Sequence, residues 1–114
     1  MTHTITPTDY SEFVESRFKD MGERDNLMHA AAGVAGEAGE LLDAIKKHWA
    51  YNKPLDIENV IEELGDLEFY MQALRIQIGI PRSHIIAANF AKLSKRYSSG
   101  TYSDQQAQDR ADKE

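Results

Sequence analysis

Apolar residues recur along most of this chain at intervals of three and four, the period of a helix with one face turned inward. Tyr10, Phe13, Val14, Phe18 and Met21 form the first series, behind Thr6 as a cap and Pro7 at the first helical position, and Gly22 is expected to end it. After the polar Glu23, Arg24 and Asp25, Asn26 is read as the cap of a longer helix reaching Trp49. Its predicted buried stripe is Leu27, Ala31, Val34, Ala35, Ala38, Leu42 and Ile45. Pro54 breaks the pattern, and Asp56 is a suitable cap for a third helix with Ile57, Val60, Ile61, Leu64, Leu67, Met71, Leu74 and Ile78 toward the core. Gly79 stops it. Pro81 or Ser83 starts a fourth, with Ile85, Ile86, Phe90 and Leu93 inward, ending near Ser98, Ser99 and Gly100.

No stretch alternates apolar and polar residues between turn signals as a half-buried strand would, so the expected fold is all-α. Short connections favour antiparallel neighbours and a four-helix bundle. The 114 residues suffice for one core and not comfortably for two. The domain is placed over residues 1–102, and the polar tail 103–114 is expected to fray.

Composition narrows the function. Hydrophobic residues make up 41% and charged residues 28%, an ordinary balance for a folded domain. A net charge of -6 gives no basic excess to attract nucleic acid or anionic lipid, so neither is expected as a partner. An acidic protein still takes a phosphorylated small molecule if local cations or bound metal ions offset the repulsion. With no cysteine, thiolate sites, disulfides and cysteine nucleophiles are excluded. The opening MTHTITPTDY resembles no secretion signal and no apolar run has the length of a membrane span, so a cytoplasmic protein is expected.

The acids that stand out are Glu37 and Glu40 on the second helix and Glu63 and Asp66 on the third. A spacing of three sets two side chains roughly 60° apart around the axis and one turn apart along it, so each pair points one way. Antiparallel helices would let all four meet. Acid pairs are common on solvated helix faces, and either pair alone says little. Two local features add weight. Gly33, Gly36 and Gly39 surround the first pair and Gly65 lies inside the second; each costs about 1 kcal/mol against Ala in a helix and suggests close approach by a backbone or ligand. Nor do the acids have basic partners four residues on: those positions hold Leu41, Ala44, Leu67 and Tyr70. Unpaired clustered carboxylates are tolerated chiefly around cations, and an all-oxygen set suits Mg²⁺, with Mn²⁺ as a substitute.

Asn89, Lys92 and Arg96 share one side of the fourth helix and are candidates to grip phosphate. Lys46 and Lys47 are further cations, although at a helix C-terminus they also answer the helix dipole. Tyr70, one turn beyond Asp66, is a candidate to stack on a base, ahead of Trp49. His3, His29, His48 and His84 show no ligand spacing and are assigned no role.

The segments AGVAGEAGELLDAIKKHW, VIEELGDLEFY and NFAKLSKRY together resemble the MazG-like nucleotide pyrophosphohydrolases of the all-α NTP pyrophosphatase group, in their short single-domain form, over residues from about Tyr10 to Tyr102. The resemblance implies that Glu37, Glu40, Glu63 and Asp66 hold Mg²⁺ and carry catalysis, with Glu37 or Glu40 orienting a water. Gly36 departs from the pattern, standing where many relatives have a further Glu. It also implies hydrolysis of a nucleoside triphosphate between the α and β phosphates, releasing a monophosphate and pyrophosphate. Substrate contacts would come from Lys47, Tyr70, Asn89, Lys92 and Arg96, and assembly would be a homodimer or homotetramer. Two rivals stand beside this reading: phosphoribosyl-ATP or another pyrophosphate-linked nucleotide as substrate, and a non-catalytic helical interaction module. A di-iron carboxylate bundle would need histidines that neither acid-bearing helix supplies.

Overall fold

The computed structural model describes residues 4–113, and His3 lies outside them. Helices account for the secondary structure: α1 (Pro7–Arg17), α2 (Glu23–Tyr51), α3 (Ile57–Ile78), α4 (Arg82–Arg96), α5 (Asp104–Asp109) and a closing 3-10 turn (Ala111–Lys113). No strand occurs among the described residues, so the chain is all-α as its periodicity predicts. No helix among them is long and apolar enough to cross a membrane. The chain divides into two compact units, Met1–Gly79 and Ile80–Glu114.

In the first unit α2 and α3 pack along their lengths, and α1 packs against α3. Val14 of α1, Ala30 of α2 and Ala73 of α3 form the fully buried centre, with Tyr10, Phe18, Phe69, Leu74 and Ile76 around it. Ala30 meets the level of Ala73, Gly33 meets Tyr70, and Glu37 meets Asp66, so residue numbers rise along α2 as they fall along α3 and the pair is antiparallel.

The boundaries of α3 match the sequence reading. The Asp56 side chain accepts from the Asn59 amide, and Gly79, at φ 67°, closes the helix with its N–H on the carbonyls of Arg75 and Ile76. α1 starts as expected, with Thr6 accepting from the Asp9 amide, but it ends at Arg17 rather than near Gly22. Asn26 is not a cap. It lies one turn inside α2, which starts behind Gly22, and its buried side chain fastens the α1–α2 turn. Its Oδ1 accepts from the Met21 amide at 2.8 Å, and its Nδ2 donates to Asp20 Oδ1 at 3.0 Å.

The stripe predicted for α2 is also displaced. The line of buried and half-buried residues is Asn26, Ala30, Gly33, Glu37, Leu41 and Ala44, with Ala30, Gly33 and Glu37 against α3, about one residue around the helix from the stripe read by hydrophobicity. Leu42 is 67% and Trp49 81% exposed, while Ile57, Ile61 and Leu64 of α3 are exposed as well. The reason is size. Small residues on the inner line let the helix axes approach and seat the Tyr70 ring on Gly33, which larger Leu42 or Ile45 would prevent.

In the second unit, the expected inward face of α4 is largely exposed: Phe90 is 74% exposed, Ile85 and Ile86 are also open, and Leu93 alone of the four is half-buried. Over its described residues, 103–113, the tail is folded into helical turns rather than frayed. Ser103 caps α5 by accepting from the Gln106 amide, and Arg110, in left-handed conformation at φ 52°, turns the chain into the closing 3-10 turn, which packs on α4.

Candidate active site

The acids of the first unit converge because of the register just described. Glu63 and Asp66, a turn apart on α3, face Glu37 across the α2–α3 seam. One carboxylate oxygen from each lies within 4.8 Å of the others. Oxygens bound to one small divalent cation are separated by roughly 3–4 Å, so modest side-chain rotation would close this set around an ion. Glu37 and Glu63 are half-buried and Asp66 is exposed, leaving one side of the cluster open to water and ligand.

Electrostatics distinguish this cluster from a row of surface acids. Burial raises the Glu63 carboxyl above its ordinary value, and the neighbouring Glu37, Glu40 and Asp66 push it the same way, with Glu37 also sharing a hydrogen bond. Glu40 is exposed and stands outside the three converging donors, yet close enough to add its charge to Glu63. A cation would relieve the repulsion, and the all-oxygen donor set fits a hard ion.

Of the four glycines singled out in the sequence, only Gly33 shows close approach within the chain, where a Cβ would overlap the Tyr70 ring. A Cβ on Gly36, Gly39 or Gly65 would meet nothing within 4 Å, so the reading of those three as points of contact is corrected for the chain itself. The half-buried Tyr70 ring lies edge-on to Phe69 at 5.3 Å and to His29 at 5.9 Å. The His29 ring stacks on Phe18 at 4.7 Å, and its Nδ1 is buried without a hydrogen-bond partner among the described residues.

Lys47 forms an exposed pair with Asp43 at 3.2 Å, one turn back on α2. Asn89, Lys92 and Arg96 belong to the second unit. Asn89 lines an open hollow of about 420 Å³ with Phe90, Tyr97 and Tyr102, and Arg96 is engaged by Asp112. Sequence reasoning passed over Arg75, a buried cation whose Nη1 donates to Glu68 Oε1 at 3.1 Å and Gln72 Oε1 at 2.8 Å. Gln72 in turn donates to Ser11 Oγ at 3.2 Å, tying α3 to α1. The Gln72 to Arg75 spacing of three was the available signal.

An all-α chain with carboxylates opposed across two antiparallel helices defines a helical protein with an acidic cluster whose oxygens could serve as ligands. The MazG nucleotide pyrophosphohydrolase domain matches residues 26–100, which hold all four acids, and the chain belongs to this family. Membership implies a nucleotide pyrophosphohydrolase of a group that generally uses divalent metals. Comparison with curated proteins and with solved structures gave no match.

Proposed function

We propose that this chain hydrolyses nucleoside or deoxynucleoside triphosphates between the α and β phosphates, giving the monophosphate and pyrophosphate, with Mg²⁺ as its ion and Mn²⁺ as a substitute. The observation that carries the reading is the convergence of Glu37, Glu63 and Asp66 on one point across the α2–α3 seam. These three would hold the ion, which when bound neutralises phosphate charge and activates water. Glu40, beside them and solvent-facing, orients the water and accepts its proton. Lys47, Asn89, Lys92 and Arg96 serve the phosphates and Tyr70 borders the base.

The protein is read as a cytoplasmic homodimer or homotetramer. Supporting assembly, Leu42, Ile45 and Trp49 form one exposed apolar line on α2 and Ile57, Ile61 and Leu64 another on α3, surface that a second copy would cover. The test is pyrophosphate release from a panel of NTPs, dNTPs and phosphoribosyl-ATP, with Mg²⁺ and with chelator. Turnover of one or more triphosphates that stops with chelator is expected; no release from any of them, together with no calorimetric Mg²⁺ or Mn²⁺ binding, would leave the helical interaction module as the better reading.

A further inference from the structure

Arg96 is gripped side-on by one carboxylate. Its Nε donates to Asp112 Oδ1 at 2.6 Å and its Nη2 to Oδ2 at 3.3 Å. Arg110 Nε lies 3.9 Å from Oδ1, and Lys113 Nζ lies 4.0 Å from Oδ2. The Asp112 side chain is only 2% exposed. Among the described residues, three cations thus lie within 4.0 Å of the Asp112 carboxylate, and the two parallel N–H bonds are the geometry a guanidinium also gives to phosphate.

The chain is shaped to deliver this carboxylate. Ser103 starts α5, Gln106 is hydrogen-bonded to Ser99 and Ser98, and the left-handed Arg110 reverses direction so that Asp112 returns to α4. The donor set so occupied belongs to Arg96, one of the residues assigned above to the phosphates.

We propose that the segment from Ser103 to Lys113 is an internal competitor for phosphate: Asp112 occupies Arg96 in the resting chain, and a polyphosphate must displace it to bind there. This rests on the reading of Arg96 as a phosphate contact. The exchange favours a nucleotide at sufficient concentration because Asp112 offers Arg96 one negative charge, whereas a triphosphate carries several. The tail thus sets the concentration at which substrate gains the site.

The test uses the full chain and inorganic tripolyphosphate in metal-free buffer, so that the acidic cluster takes no part. Binding is measured by titration calorimetry, with the Arg96 Nε–H signal followed by NMR. Asp112→Asn should bind tripolyphosphate about three- to tenfold more tightly than the parent chain, as expected on removing a tethered ionic competitor. Arg96→Gln should bind weakly and lose that gain when combined with Asp112→Asn. Should Asp112→Asn disturb folding, Ser103→Ala, which weakens α5 without altering charge, should give a smaller gain. Unchanged or weaker binding in both folded variants overturns the proposal. A KM for triphosphate that is the same in Asp112→Asn and parent overturns it while leaving the hydrolase reading intact. Tighter tripolyphosphate binding without turnover of any nucleotide supports the competitor and overturns the hydrolase reading.

Discussion

Gly33 and Gly36 sit three residues apart on α2, and substituting each by Ala separates two reasons for a glycine in a helix. At Gly33 the new methyl would overlap the Tyr70 ring and force the α2–α3 seam apart, an overpacking cost of ~1–3 kcal/mol set against ~1 kcal/mol of improved helix propensity. Gly33→Ala should therefore lower the urea midpoint. Gly36→Ala meets no atom within 4 Å and should raise stability by up to ~1 kcal/mol. Glu63 provides the matching test of chemistry. With its charge opposed by Glu37, Glu40 and Asp66, Glu63→Gln should melt higher than the parent without metal, yet gain less stability when Mg²⁺ is added. Pyrophosphate release should fall at least ~100-fold with the circular dichroism spectrum unchanged.

Helix by helix, the chain announces its elements more plainly than their facing. Asp56 and Gly79 bracket α3 because a carboxylate cap and a left-handed glycine are local devices, readable without neighbours. The packed side of α2 was not legible, since hydrophobicity singles out Leu42 and Ile45 whereas close packing selects the smaller Ala30, Gly33 and Ala44. Glu37 lies on that inner line, so the acidic spacing picked out side chains that converge, whereas the apolar stripe missed the packed face. The α5 turn was missed for a similar reason: its composition is polar, and its order rests on Ser103 and on a pairing between Arg96 and Asp112 that periodicity cannot show. Arg75 was missed because a long cation reads as surface until its partners are known. Its truncation to Ala should cost ~1–3 kcal/mol by leaving Gln72 and Glu68 without their donor, and hydrogen exchange should accelerate in α1, which Gln72 holds through Ser11.

At the scale of the whole chain, acid and dilution are the revealing variables. The Arg96 guanidinium holds the Asp112 carboxyl below its ordinary value of 3.8. A lowered value means the clasp contributes fully above that pH and is lost as pH falls through the lowered one. NMR signals of the tail should accordingly lose dispersion only in that acid range, and in Arg96→Gln the Asp112 carboxyl should titrate higher than in the parent chain. Assembly adds a separate expectation: Leu42→Asp on the exposed line of α2 should shift the light-scattering mass toward the monomer while the antiparallel seam stays intact. The chain holds a single tryptophan, and Trp49 stands on that same line at 81% exposure. Its fluorescence is consequently a built-in reporter: an indole bathed in solvent emits to the red and is readily quenched by iodide, and coverage by another surface would shift it to the blue and shield it, with no dye attached.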